Sequence, residues 1–358
     1  TASTGGQIMP PIMGAAAFIL AEFTGTPYLR VAACAAIPAF LYYLSALMQV
    51  HFHACKKNLG GIPKEELPDS KKVFLRNWNQ LLPIVILVGL MMNGFSTHYA
   101  AVWALFSIPV CGLLHKHTRM SPKAIFWSLI EGSKSAIMVA IACAASGIVI
   151  GAFNMSGLAI RLTSAIVGLS GTSLFLALML TMCAALILGM GIPTTAAYIT
   201  CVAVVAPALT KLGIEAFVAH MFVLYFALIS PITPPVAIAA YAAAGLTKAD
   251  PIKIGAQACR LGIIAFFVPY MFVYQPALLL IGEWTEILQA LISSTFGTIV
   301  LASALEGWVF SKVGRRLILA VAGLCCIYPG TYTDLIGLAL SLAVLVPNYR
   351  LTKKCKAA

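Results

Sequence analysis

Apolar positions in this chain gather into long runs, at 28–50, 81–95, 98–114, 136–153, 172–188, 196–210, 260–282 and 287–305, with short polar stretches between them. A helix needs about 20 apolar residues to cross the hydrocarbon of a bilayer, with some slack for tilt. Backbone N–H and C=O groups must find partners inside lipid, so such runs are helices or helical hairpins packed within protein. The pattern predicts an all-α polytopic membrane protein. Composition agrees: 61% of residues are hydrophobic and only 9% are charged, too few to cover a soluble domain of 358 residues.

The net charge of +12 raises the question of nucleic acid, and its distribution answers it. Lys56, Lys57, Lys64, Lys71, Lys72 and Arg76 form one basic stretch, and Lys116, Arg119, Lys123 and Lys134 a second. Lys312, Arg315 and Arg316 form a third, and the tail carries Arg350, Lys353, Lys354 and Lys356. Basic residues between spans mark cytoplasmic loops, here 51–80, 115–134, 311–316 and the C-terminal tail. Parity agrees, since two spans separate the first two basic loops and a short pair, 317–328 and 333–347, separates the last two. The charge is therefore read as orientation in a bilayer, with no nucleic-acid partner.

The ten cysteines are scattered and mostly lie in apolar runs, so neither a disulfide framework nor a zinc ribbon is indicated. His51, His53 and Cys55 are close enough in sequence for a metal cluster. They sit at the end of a span with no second half-site, which argues against ligation, and the same holds for His115 and His117. Residue 1 is Thr, and no charged leader precedes an apolar core.

The chain repeats itself. Ile8-Met9-Pro10-Pro11 recurs as Ile232-Thr233-Pro234-Pro235, an offset of 224 residues. At the same offset Ala15 and Ala16 match Ala239 and Ala240, Pro27 matches Pro251, Ala32 matches Ala256, and Tyr42 and Tyr43 fall on Phe266 and Phe267. Each double proline precedes a short alanine-rich helix, a polar turn ending in Pro, and a full span. The second copy has about 90 residues (136–229) leading into its double proline and the first has nine, so the start of the first repeat is expected to lie outside this sequence, the alternative being a degenerate first half that never had those helices. The organisation is then 1–50, the end of a first transport repeat; 51–80, a connector; 81–135, scaffold helices with a cytoplasmic loop; 136–282, a second transport repeat; and 283–358, peripheral membrane helices. Within the connector, Pro63–Pro68 and Lys71–Arg76 suggest an amphipathic helix along the membrane, and a plain polar linker is the alternative.

Three segments interrupt the helical pattern inside apolar stretches: Ser3–Pro11, Gly189–Thr195 and Ser230–Pro235. Proline removes a backbone donor and clashes with the preceding turn, so a double proline frees carbonyls. Glycine permits the dihedrals of a tight re-entrant tip. At membrane depth such backbone survives only when buried in protein or lining a watery cavity. Freed carbonyls and Ser or Thr hydroxyls are oxygen ligands suited to Na⁺, and the starts of broken helices carry partial positive charge that can face an anionic substrate. Pro and Gly that merely kink packed helices would explain one such segment. Three of them, two at matching repeat positions, favour binding. Glu22, Arg161, His98 and His220 also lie in or near apolar runs, where ionisable groups are functional candidates; snorkelling at helix ends accounts for them equally. Asn93 and Asn154 read as turns.

The strings GGQIMPPIMGAAAFILAE, LILGMGIPTTAAYI and ISPITPPVAIAAYAAAGL resemble the large, DctM-like membrane subunit of TRAP (tripartite ATP-independent periplasmic) transporters, nearest to the fused permeases of the TAXI branch. The resemblance runs from Thr1 to about Gly282. YPGTYTD, between the last two short spans, also resembles that branch's C-terminal extension. It implies an inverted-repeat, elevator-type secondary transporter in a bacterial or archaeal cytoplasmic membrane. Such a transporter imports small organic acids, C4-dicarboxylates or related carboxylates and amino acids, with Na⁺ as coupling ion and no other cofactor. An extracytoplasmic solute-binding protein would deliver substrate, and a small four-helix membrane subunit would be fused or separate. Carried onto this sequence, Gly189, Gly191, Pro193, Thr194 and Thr195 would form the second hairpin tip. Ser230, Thr233, Pro234 and Pro235 would be the second unwound helix, and Gly5, Gly6, Gln7, Pro10 and Pro11 the first. Na⁺ would sit among oxygens near Gly189, Thr194, Ser230 and Thr233. The first hairpin would precede Thr1. Two departures stand out: Ala237 replaces a frequent Gly, and Phe95-Ser96-Thr97-His98 replaces a Thr-Pro-Thr-Glu pattern.

A membrane-embedded enzyme would need paired carboxylates, HExxH-type spacing or a buried nucleophile, and the eleven Asp and Glu fall mostly in loops. An ion-coupled carboxylate transporter of related inverted-repeat design, working without a binding protein, stays open as the alternative.

Overall fold

The structure, a computed structural model, describes residues 1–357 apart from 62, 64, 65, 308–312 and 329. Lys64, Glu65, Lys312 and Pro329, on which parts of the sequence reading rest, lie outside the described residues, as do the side chains of Arg350, Lys353, Lys354 and Lys356.

Every regular element among the described residues is helical. Six stretches are long and apolar enough to cross a membrane: Tyr28–Lys56, Ser70–Met92, Pro122–Met155, Thr194–Lys211, Pro251–Tyr274 and Trp284–Glu306. The chain is an all-α polytopic membrane protein.

It opens on one helical turn, α1 (Ala2–Gly5), and then runs through turns to α2 (Ala15–Thr24) and the long α3 (Tyr28–Lys56). After the connector come α4 (Ser70–Asn77), then α5 (Leu82–Met92) and α6 (Thr97–Gly112), which pack together as a hairpin turned at Asn93 and Gly94. The long α7 (Pro122–Met155) and α8 (Leu158–Ser170) lead into a second hairpin, α9 (Leu174–Gly189) and α10 (Thr194–Lys211). Next are α11 (Ala216–Ile229), α12 (Ile238–Thr247), α13 (Pro251–Leu261) and α14 (Ile264–Tyr274). The chain closes with α15 (Trp284–Glu306), α16 (Val313–Ile327) and α17 (Thr331–Ala357).

The core centres on α11. Nearly all of its side chains are buried, and it is enclosed by α2, α9, α10 and α14. Its aromatic residues build the interior: Phe222 and Phe226 pack on Tyr270, and Tyr225 on Phe272. By contrast α5, α6 and α7 are largely exposed, with Val85, Trp103, Phe106, Ile141 and Ile148 open on their surfaces.

Three sequence expectations need adjusting. The amphipathic helix of the connector forms only from Ser70, where Asp69 accepts a hydrogen bond from the Lys71 N–H; residues 66–69, with Pro68 among them, carry no α-helix. The second basic segment is a loop only as far as Ser121, which caps α7, so Lys123 and Lys134 ride on the first turns of that helix. Asn154 lies inside α7, and the turn falls at Ser156 and Gly157, where Gly157 takes the left-handed φ of 67°.

The two double-proline segments share local backbone features. Both double prolines carry a cis bond between their rings. Met13 and Ala237, 224 residues apart, both take left-handed φ, 53° and 40°. A ten-residue helix follows each, α2 and α12, and Pro27 and Pro251 open the next helix in each copy.

Candidate functional site

The α9–α10 hairpin turns over four residues. Gly189 ends α9; Met190 to Pro193 make the turn, with Gly191 at a φ of 80°; and Thr194 opens α10. A side chain at Gly191 would be strained, so the tightness of the tip depends on glycine there. The second break begins where α11 ends. Ser230–Ile232 form one 3-10 turn, and the chain stays irregular through Pro235 until α12 starts at Ile238.

These two breaks meet. A Cβ built on Gly189 would lie 2.9 Å from Ser230 Oγ and 3.1 Å from Ser230 Cβ, so the hairpin tip rests directly on the start of the second break. Gly191 faces Val236 across the same contact. Ser230 is 1% exposed, and its hydroxyl has no hydrogen-bond partner among the described residues. Buried hydroxyls without partners are costly, and Ser230 Oγ is one of several such polar atoms among the described residues, the one that lies against the hairpin tip.

Neighbouring groups are accounted for differently. Thr233 Oγ1 donates to the Ile229 carbonyl at 2.8 Å, which leaves its lone pairs available. The Ile232 carbonyl accepts from Cys259 Sγ at 3.2 Å, and α13 closes over the segment through Gly255, whose missing side chain leaves room for Pro234 and Ala237. Thr194 and Thr195 sit half-buried at the start of α10, and Pro235 is exposed. The donor set is neutral hydroxyl and carbonyl oxygen, which fits a hard cation better than a soft one.

The first broken segment is placed otherwise. Gly5 and Gly6 lie at the end of α1, and Gln7 to Pro11 follow in turns. The described hydrogen bonds tie this segment to α3 rather than to the hairpin tip: Tyr28, Tyr42 and Tyr43 all donate to its carbonyls or those beside it. It touches the second repeat at its start, where Thr1 Oγ1 donates to the Ala258 carbonyl at 3.0 Å.

Of the lone polar residues, His220 is hydrogen-bonded to Tyr198 at 2.9 Å, with Phe23 edge-on to its ring. Glu22 and His98 face one cleft of about 560 Å³ between the end of α2 and the α5–α6 turn, shared with Thr26, Ser96 and Thr97. Among the described residues no three His, Cys, Asp or Glu side chains converge as a metal group. His51 reaches Cys55 at 3.7 Å, whereas His53 pairs with Glu306 at 3.1 Å. Sequence reasoning missed Glu306, which also takes Arg260 at 3.0 Å and is 4% exposed. A lone carboxylate ending an apolar run just before a basic cluster was its only signal.

A family profile described as the Tripartite ATP-independent periplasmic transporter, DctM component, matches residues 1–287. The chain belongs to that family. No curated protein matches it. Both double prolines, the hairpin tip and the whole of α1 to α14 lie inside the DctM match, so the site described above is made of family residues. The chain is accordingly a TRAP transporter permease, a transport protein rather than an enzyme. Most of α15, together with α16 and α17, lies beyond the matched residues.

Proposed function

We propose that this DctM permease imports small organic acids, C4-dicarboxylates or related carboxylates and amino acids, by coupling their entry to Na⁺. Substrate arrives on an extracytoplasmic solute-binding protein, and a small four-helix membrane subunit completes the complex. The observation that carries the reading is the contact of Gly189 with Ser230, which brings the buried, unpartnered Ser230 hydroxyl to the foot of the hairpin tip. Na⁺ is held there by hydroxyl and backbone oxygens of Gly189, Thr194, Ser230 and Thr233. Substrate carboxylates lie beside the starts of α10 and α12, whose N–H groups and dipoles favour negative charge. Gly5, Gly6, Gln7, Pro10 and Pro11 supply the matching surface from the first repeat.

Other features fit this reading. At 16 residues α9 falls short of the roughly 20 needed to span, as a re-entrant arm would. The buried pair α10 and α11 suits the heart of a body that moves as a unit against α5, α6 and α7, in an elevator-type cycle between two repeats of inverted topology. The exposed apolar side chains of those three helices suit lipid and the small subunit. The protein sits in a bacterial or archaeal cytoplasmic membrane with 51–80, 115–121, the α15–α16 connection and the tail on the cytoplasmic side.

The test is uptake into proteoliposomes containing the full permease complex, with and without Na⁺ and the binding protein, across a panel of organic acids. The expected result is uptake that requires both and that falls in Thr194→Ala and Thr233→Ala. Uptake indifferent to Na⁺, or intact in both variants, would return the broken helices to packing roles.

A further inference from the structure

We propose that Tyr28, Tyr42 and Tyr43, all on α3, are positioning residues that fix the first broken segment for binding. The inference rests on the reading that this segment takes part in the site. Proline breaks free carbonyls that need partners away from water. Here the segment's own N–H groups meet several of its carbonyls, and hydroxyls of one helix meet those at its two flanks. Tyr28 donates to the Ile12 carbonyl at 2.6 Å, with the Pro11 carbonyl at 3.0 Å beside it. At the other end of the break Tyr42 donates to the Thr1 carbonyl at 2.8 Å and Tyr43 to that of Ala2 at 3.1 Å. Both flanks of Gly5–Pro11 are thus tied to α3.

The rings are themselves held. Tyr28 stacks on Phe18 of α2 with centroids 4.1 Å apart and planes 4° from parallel, and Tyr42 and Tyr43 meet edge to face at 5.8 Å. Gly5 lies against the Tyr42 ring so closely that a Cβ on it would fall 2.5 Å from Tyr42 Cε1. Ring, glycine and carbonyl therefore fit only in one register.

The second repeat has no such device. At the 224-residue offset Tyr28, Tyr42 and Tyr43 become Ile252, Phe266 and Phe267, which carry no hydroxyl. That break is tied by its own Thr233 and by Cys259, and is covered by the hairpin tip. Both breaks carry local backbone hydrogen bonds; the first adds tyrosine hydroxyls of α3 at its two flanks, and the second adds Thr233, the Cys259 thiol of α13 and the hairpin tip. Positioning by tyrosine is thus specific to the first half of the site.

Hydrogen exchange read by mass spectrometry on the reconstituted permease complex tests this, in parallel with uptake. Tyr28→Phe keeps the ring and its stacking and removes only the hydroxyl. It should speed exchange across residues 6–14 about fivefold, the net worth of one hydrogen bond, and leave 229–240 unchanged. The Na⁺ or substrate half-saturation should rise by a similar factor with maximal rate retained. Tyr42→Phe provides a second variant, with the effect at the start of the segment. Unchanged exchange over 6–14 in Tyr28→Phe together with unchanged exchange over 2–6 in Tyr42→Phe overturns the proposal. Faster exchange with unaltered half-saturation overturns the positioning role as well. Wild-type uptake that ignores Na⁺ is a separate result, which sinks the coupling reading and leaves the exchange readout to decide on the tyrosines.

Discussion

Gly189 and Ser230 are in contact across 40 intervening positions of helix and turn, with room for no side chain on Gly189: a Cβ there would stand 2.9 Å from the Ser230 hydroxyl. One link of the chain, the glycine, fixes how close the hairpin tip approaches. The other, the serine, places a buried oxygen at the point of approach.

The pair can be separated by mutation. Gly189→Ala pushes the tip off Ser230 and should cut uptake at least about tenfold, equivalent to about 1.4 kcal/mol, without loss of folded protein. Ser230→Ala spares the packing and removes the oxygen, so it should raise the Na⁺ half-saturation by about the same factor. Adding Ser230→Gly to Gly189→Ala relieves the steric clash, so it should restore thermal stability and leave Na⁺ affinity poor. Normal Na⁺ affinity in both Ser230 variants would remove this hydroxyl from the ion site.

Glu306 ties α15 to both repeats, through His53 at the end of α3 and Arg260 near the end of α13. Lys56 and Arg316 add hydrogen bonds to the carbonyls of Glu306 and Ala304. Truncating one partner of a fully buried pair costs about 3–5 kcal/mol. Arg260 is a third exposed and keeps the Leu305 carbonyl, so Glu306→Ala should cost less, about 2 kcal/mol. Glu306→Gln should fall between wild type and Ala. The melting temperature of the purified protein in nanodiscs reads this directly, and an unchanged value in Glu306→Ala would dismiss the anchor.

Ala237 holds a φ of 40° at the start of α12, a conformation that costs a residue with a Cβ about 1–2 kcal/mol. Glycine avoids that cost but gives up about 0.5–1 kcal/mol of chain entropy. Ala237→Gly should therefore be neutral or stabilising by up to about 1 kcal/mol, unlike most glycine substitutions beside a helix. Ala237→Val should destabilise, since a β-branched residue fits this region worse. Thermal melts of the two variants should move in opposite directions or, at least, never in the reverse order.

Much of this arrangement could be read from residue order. Pro10-Pro11, Gly189 to Pro193 and Pro234-Pro235 announce their breaks locally, because proline and glycine act on the backbone where they stand. The apolar runs likewise gave the helices, although not their ends. Lys123 and Lys134 looked like loop residues because charge is a poor guide to where a helix emerges from an apolar zone. What stayed hidden was contact across the fold. Glu306 looks like a loop carboxylate until α3 and α13 bring His53 and Arg260 to it. The tyrosines of α3 look like lining of a span until their hydroxyls meet carbonyls some 16 and 41 positions away in sequence. Side chains that act at a distance leave no period or spacing behind.

The segment beyond the family match packs through its glycines. A Cβ on Gly297 of α15 would fall 2.6 Å from the Gly323 carbonyl oxygen of α16, and one on Gly323 would fall 2.9 Å from that of Gly297. Backbone touches backbone, so no side chain can turn aside to make room. Gly297→Val should force α15 and α16 apart, at about 1–3 kcal/mol by analogy with overpacked cores. Since α15 also packs along α3, the strain reaches the first repeat. Gly147→Ala is the control, because a Cβ there meets nothing within 4 Å. A melting temperature lowered in Gly297→Val and unchanged or raised in Gly147→Ala, where alanine favours the interior of α7, establishes the close helix contact. Equal melts would mean that α15 and α16 tolerate separation, leaving the packing of α15 on α3 and the Glu306 contacts to hold α15.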